Sequence, residues 1–238
     1  MKIVAEIPVR LGSKRVPKKN IRLICGKPMV GYAVEACRES TLVDEVYINS
    51  EAEELRCLAH EYGVHFYQRS PELAEDHVVQ DEFNYDFLTH IDCDVLVMVN
   101  PVSPLVLAED IDDAIRFFEA GSYDTVISVR EERLQSFYQA QPVNFNVDEK
   151  LPMTQNLDPI QLCSWTVCVW RADRLRTHFE EHGFGVFVGQ VGLYPFNAVR
   201  SLKVSTEMDF QLAEVVIEAR NRESVPPQYY GDGESCDV

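Results

Sequence analysis

This 238-residue sequence predicts a doubly wound, mostly parallel α/β sheet built as a single domain. Three observations carry that prediction. Short β-rich runs alternate with longer segments of helical period, the pattern of βαβ units. The run "DVLVMVN" (94–100) is continuously apolar between polar and proline flanks, as a strand covered by helices on both faces requires. A composition of 46% apolar residues over this length is enough to bury a sizeable core.

Taken in order, "KIVAEIPV" (2–9) reads as a first buried strand. "PMVGYAVEACRES" (28–40) follows as a helix, with Pro28 suited to its first turn. "EVYINS" (45–50) is a second strand, and the amphipathic "EAEELRCLAHEYG" (51–63) a helix closed by Gly63. "VHFYQR" (64–69) gives a third strand and "DEFNYDFLTHI" (81–91) a helix. After the 94–100 strand, "AEDIDDAIRFFEAG" (108–121) is helical, with Ile111, Ile115 and Phe118 on one stripe and Gly121 just past its end. "YDTVISV" (123–129) is the next strand. From 130 to 165 the rhythm breaks into Pro-, Gln- and Asn-rich sequence, which inside a compact domain marks a functional or interface excursion. "LCSWTVCVW" (162–170) resumes as a strand, "GQVGLYPF" and "AVRSLKV" add shorter ones, and "TEMDFQLAEVVIEARNR" (206–222) closes the domain as an amphipathic helix. Residues 1–222 are thus one domain, and 223–238 is expected to be a frayed tail.

The charge balance narrows the function. Thirty-nine acidic against 22 basic residues, a formal charge of −17, argue against a nucleic-acid or anionic-membrane surface. The N-terminal apolar run is too short for a signal peptide and no window approaches a membrane span, so a soluble, cytoplasmic protein is expected. Seven cysteines without CxxC or zinc-ligand spacing read as reduced, mostly buried thiols. The six histidines show no metal or triad spacing. Against this acidic background Arg10, Lys14, Arg15, Lys18, Lys19, Arg22 and Lys27 crowd together, with no Asp or Glu between Glu6 and Glu35. Placed at the carboxyl end of the first strand, where open α/β sheets bind ligands, such a loop suits a small polyanion. Gly12 allows close backbone approach, Ser13 offers a hydroxyl, and Lys14 and Lys19 are mobile cations, so a triphosphate is the natural guest. Neither GxxxxGK[ST] nor GxGxxG is present.

The stretch "IPVRLGSKRVPKKNIRLICGKPMVGYAVEA" resembles the N-terminal signature of the CMP-N-acylneuraminate (sialic acid) synthetase type of cytidylyltransferase, approximately IPARxGSKxxPxKNI, a spacer, then GKPxxxY. Arg10, Gly12, Ser13, Lys14, Pro17, Lys19, Asn20, Gly26, Lys27 and Pro28 match in register. "VYINSEAEELRCLAHEYG", with Glu51 where Asp is usual, "RSPELAED" (69–76), "NPVSPL" (100–105) and "STEMDFQLAE" (205–214) extend the resemblance to about residue 220.

The resemblance implies a Rossmann-like nucleotidyltransferase that transfers CMP from CTP to an acidic sugar and releases pyrophosphate. It implies catalytic roles for Arg10, Lys14 and Lys19, and nucleotide contacts from Arg10, Leu11, Gly12, Ser13, Lys14, Asn20, Asn100 and Ser103. Arg69, Ser70, Asp76, Gln155 and Ser164 would face the acceptor. It further implies Mg²⁺, and a homodimer whose 130–165 arm, anchored by Phe137, Tyr138, Phe145 and Leu151, reaches the neighbour's cleft. Three departures stand out. Lys203 and Ser205 occupy the family's two metal-binding Asp positions. That leaves Asp209 as a weak metal candidate and Ser205 as either a poor ligand or the N-cap of the last helix. Ser164 and Trp165 replace an Asn-Gly pair in the sugar pocket, and Val102 and Val106 replace a Thr and an Arg. Two alternatives follow: a different acidic acceptor, such as a phosphonate, or a nucleotide-binding relative without turnover.

Overall fold

Residues 1–222 are described in a computed structural model of the chain, and the expected 223–238 tail lies outside them. Seven strands form the central sheet: β1 (Ile3–Pro8), β2 (Glu45–Ser50), β3 (His65–Gln68), β4 (Val95–Val99), β5 (Thr125–Glu132), β6 (Ile160–Arg171) and β7 (Val191–Pro195). Their spatial order is β7-β5-β6-β4-β1-β2-β3. All neighbours run parallel except β6, which is antiparallel to both β4 and β5. The mostly parallel, doubly wound sheet expected from the apolar runs is present.

Side-chain alternation along the strands divides the core. Ile3, Ala5 and Ile7 of β1 join Val97 and Val99 of β4 beneath α1 (Met29–Glu39), α2 (Leu55–Glu61) and α4 (Ala108–Ala120). Val4, Leu96, Met98 and Trp170 face α3 (Gln80–His90) and α5 (Ala172–His182) through Phe87, Leu88 and Leu175. The last helix, α6 (Glu207–Arg220), packs Phe210, Ala213 and Ile217 on Ile24 and Met29 beside the small hairpin Leu23–Pro28. This third cluster carries the strand-to-helix segment 203–205 to the mouth of the sheet.

Several expectations are corrected. The helix expected over 51–63 begins only at Leu55, because Glu51 is used elsewhere and the Ser50 hydroxyl accepts the Ala52 N–H in a preceding turn. Strand β5 runs through Glu132 and β6 starts at Ile160, so the irregular excursion is 133–159 rather than 130–165. The excursion contains a tiny hairpin, Phe137–Tyr138 against Gln141–Pro142, whose turn residues Gln139 and Ala140 both have positive φ. No strand forms over 198–204. The Asn197 side chain accepts the N–H groups of Val199 and Arg200 and folds that segment into a turn. Helix α5 was not expected, although Ala172, Leu175 and Phe179 have helical spacing and Gly183, at φ 78°, stops it. Three cysteines, Cys25, Cys57 and Cys163, are exposed, so the thiols are not mostly buried; all six described are free.

Candidate active site at the carboxyl end of the central strands

Strand order reverses between β1 and β4, with β2 and β3 on one side, so a crevice must open beyond their carboxyl ends. A cleft of about 570 Å³ lies there, floored by Pro8, Met98 and Asn100. Arg10, Lys14, Arg15, Lys19, Arg69 and Lys203 line it, against two carboxylates, Glu75 and Asp76. The loop after β1 is pinned by Val16, which is fully buried, and by Asn20, whose amide donates to the Arg10 carbonyl at 3.0 Å. Asn20 lines the cleft, and its Oδ1 is buried without a partner. Gly12 does not adopt a left-handed φ, and a Cβ there would meet nothing within 4 Å. The fold itself therefore does not demand glycine at 12; only close approach of a guest would.

The cations are arranged around one acid. Asp76 pairs with Lys14, and Arg10 Nη1 lies 3.1 Å from its other oxygen while also donating to the carbonyls of Ala74 and Glu75. The hydrogen bond from Lys14 is the main reason the Asp76 carboxyl is held below its ordinary pKa. Lys19 is half-buried and donates to the Val204 carbonyl at 2.6 Å. Burial, and then the charges of Arg15, Lys203 and Arg10, bring its pKa down to about 8. Like charge outweighs the one opposite charge acting on this ammonium, Asp209, and a polyanion would reverse that balance.

At the other end of the cleft Arg69 is only 4% exposed. Its Nη2 donates to the Val9 carbonyl and to Glu51 Oε2, each at 3.1 Å, and Glu51 also accepts the Leu11 N–H. Glu51 thus ties the basic loop to the end of β2. The guanidinium stands over Phe83, and its Nε has no partner. Beneath this end lies a carboxyl group in an apolar strand, Glu6 of β1, which is fully buried. Asn49 Nδ2 donates to its Oε1 at 2.6 Å, and its Oε2 has no partner. Burial, only partly offset by Asn49 and by the charge of Arg69, pushes its pKa up to about 8.

The remaining sequence candidates are dispersed. Asn100 lines the cleft, its Oδ1 accepting the Val102 N–H at 3.3 Å, whereas Ser103 is buried behind it with an unpartnered hydroxyl. Ser70 is exposed outside the cleft, and Gln155 is exposed on the excursion. Ser164 sits in a bulge of β6 where the pairing with β5 shifts register between Cys163 and Cys168. Its hydroxyl contacts buried Ser128, whose own hydroxyl accepts the N–H groups of Thr166 and Val167. Trp165, at φ 59°, packs edge-on against Phe187 and does not line the cleft. Gln80 and Phe83, which line the cleft, were not foreseen, nor was buried Glu6, which does not line it. The visible signal for Glu6 was a lone carboxylate inside an otherwise apolar strand.

The donor set does not fit a divalent ion held by the protein. Lys203 and Ser205 line the cleft where the resemblance places two carboxylates. Asp209 is committed: desolvation disfavours its charge, but the N–H groups of Ser205 and Thr206, at 2.9 and 2.8 Å, hold it ionised below its ordinary value. Glu207 forms a two-pronged pair with Arg22. The N-cap of α6 is Thr206, completing a capping box with Asp209, and Ser205 is corrected to the residue before it. Among the described residues no group of three or more His, Cys, Asp or Glu is placed to hold a metal. No described helix is long and apolar enough to cross a membrane.

A family model described as "Cytidylyltransferase" matches residues 4–217. The N-acylneuraminate cytidylyltransferases of Streptococcus agalactiae and Escherichia coli are each 26% identical to this chain, over 99% and 94% of its length. The chain spans 58% and 54% of those two proteins, a little over half. A CMP-N,N'-diacetyllegionaminic acid synthase of Legionella pneumophila is 25% identical over 92% of this chain and 97% of its own length. Among solved structures, a CMP:2-keto-3-deoxy-manno-octonic acid synthetase complexed with CTP superposes with a TM-score of 0.71 at 13% identity, covering 92% of this chain and 100% of that one. At that identity the likeness concerns the fold.

Proposed function

Given that the chain belongs to the cytidylyltransferase family, matched over residues 4–217, we propose that it transfers CMP from CTP to an acidic sugar of the nonulosonic or related ulosonic type. The observation that carries this reading is the set of six cations, opposed by two carboxylates, at the point where strand order reverses. Lys14, Lys19 and the Ser13 hydroxyl receive the β- and γ-phosphates, with Lys14 released from Asp76 as the nucleotide enters. Arg10 bridges toward the α-phosphate, the backbone at Leu11 and Gly12 lies along the chain of phosphates, and Asn20 and Asn100 contact the nucleoside. Ser103 supports the Asn100 turn, its N–H donating to the Asn100 carbonyl.

In the reaction an acceptor hydroxyl oxygen bonds to the α-phosphorus as the bond from that phosphorus to the bridging oxygen breaks. The hydroxyl proton leaves to solvent, and pyrophosphate departs with the negative charge. Fixed cations that meet this growing charge are a large share of such catalysis. Arg69 presents charge and an unpartnered Nε to an acidic acceptor, with Asp76 freed to orient its hydroxyls. Ser70 and Ser164, outside the cleft lining, act at its rim if the acceptor is long.

We further assign the chain to a cytoplasmic homodimer. Free thiols and a CTP substrate suit that compartment. The excursion exposes Tyr138 at 70%, along with Phe137, Leu151 and Met153, which suits burial against a second copy and delivery of Gln155 to the partner's cleft. Pyrophosphate release from CTP, assayed across a panel of sugar acids and phosphonates, tests the reading. Release with at least one acid, cut about 100-fold or more by Lys14→Ala, supports it. Clear CTP binding without release for any acceptor supports the alternative of a non-catalytic binder, which the commitment of Asp209 to capping favours.

A further inference from the structure

The segment between the Asn197 turn and α6 is held rigidly at the cleft mouth. Val204 is fully buried, donates its N–H to the Val102 carbonyl at 2.8 Å and accepts Lys19 Nζ at 2.6 Å on its own carbonyl. Its neighbours on either side, Lys203 and Ser205, therefore face the cleft, and both line it. This is the place where the donor set rejects a protein-held divalent ion. It offers an ammonium instead, within electrostatic reach of Lys19.

The cleft is positive on balance. Besides Arg69, which is paired with Glu51, five cations and two carboxylates line the cleft, a formal surplus of three positive charges. A fully ionised nucleoside triphosphate carries about four negative charges, while its magnesium complex carries about half as many. Either form meets net opposite charge here, and what separates them is the lack of a carboxylate free to hold the metal, Asp209 being engaged by the Ser205 and Thr206 N–H groups. A divalent ion riding on the phosphates would bring two more positive charges toward Lys203 and Lys19, with no carboxylate free to receive it.

We propose that Lys203, acting with Lys19, supplies from the protein the positive charge that a carboxylate-held metal would bring to the triphosphate, so that this cleft takes the nucleoside triphosphate in its metal-free form. The proposal rests on the reading of the cleft as a CTP site and specifies its charge chemistry. Lys203 is a binding residue, as its ammonium meets phosphate oxygens directly. Its flexible stem lets one ammonium serve the β- and γ-phosphates in turn.

Calorimetric titration of the full chain with CTP, in EDTA and in millimolar MgCl₂, tests it. The wild-type protein is expected to bind CTP in EDTA at least as tightly as in Mg²⁺. Lys203→Ala should weaken binding in EDTA about 10-fold or more, which is the loss of one direct charge contact. The double variant Lys203→Asp with Ser205→Asp should bind only when Mg²⁺ is present. Unchanged thermal unfolding of each variant verifies that it is folded, and Lys203→Arg, which keeps the charge, should retain binding in EDTA. Wild-type binding that requires Mg²⁺, or unaltered metal-free affinity in Lys203→Ala, overturns the proposal and leaves the CTP site standing. Absence of CTP binding in both buffers overturns the CTP site itself.

Discussion

Glu6 and Lys19 show how single side chains set the pH response of this molecule. Glu6, buried under the acceptor end of the cleft, has its folded pKa raised to about 8 from an ordinary value near 4.5, mainly by burial. The folded state then holds a proton that the unfolded chain has already lost, so Glu6 lowers stability progressively as pH rises from 4.5 toward 8. The full penalty is up to about 5 kcal/mol. Glu6→Gln, which keeps an acceptor for Asn49, should match the wild type in urea unfolding near pH 4.5 and exceed it by a few kcal/mol near pH 8. Equal stability of the two at both pH values would contradict the assignment. Lys19 has the opposite sense, its pKa lowered to about 8 by burial and by Arg15, Lys203 and Arg10. An incoming triphosphate restores its charged form, so CTP affinity should fall as pH rises through 8. Titrations in buffers of different ionisation enthalpy should then register up to one proton taken up per nucleotide. Lys19→Arg, which stays charged, should abolish that uptake.

At the scale of elements, the start of α6 shows what local sequence carries and what it does not. The helix itself was legible from its amphipathic period, but the sequence reading set its cap at Ser205, one residue too early. The fold chooses Thr206, because Asp209 reaches back to its N–H while buried Val204 fixes the segment before it. Thr206→Ala should therefore lower stability by about 1 kcal/mol, a Tm decrease of about 2–4 °C, whereas Ser205→Ala should leave Tm unchanged. Reversal of that order in a thermal scan would place the cap at Ser205. Strand β4 was legible for a simpler reason: a continuous apolar run of that length suits a strand covered on both faces in a doubly wound sheet. The 198–204 segment misled because "AVRSLKV" alternates like a strand, yet the Asn197 side chain supplies a turn that alternation does not reveal. Helix α5 was hidden by its charged composition, which leaves only Ala172 and Leu175 fully buried.

Across the whole molecule, the basic loop was legible because its charge runs against a chain of net −17, and the structure sets it at the reversal of strand order with Lys203 brought from 184 residues beyond Lys19. What sequence could not yield was the pairing of distant groups: Glu51 with Arg69, Asp76 with Lys14, and Glu6 with Asn49. Those depend on β1, β2 and the loop after β3 converging, which only the assembled sheet determines. The exposed apolar side chains of the 133–159 excursion belong to the same scale. Tyr138→Asp should shift the chain from dimer to monomer in sedimentation velocity while preserving its thermal unfolding profile up to the concentration-dependent part. The most direct test of the central claim is a crystal structure of the full chain with CTP. The account predicts β- and γ-phosphate oxygens within hydrogen-bond distance of Lys14 and Lys19, with Asp76 parted from Lys14. Triphosphate density elsewhere, with the Lys14–Asp76 pair intact, would contradict it.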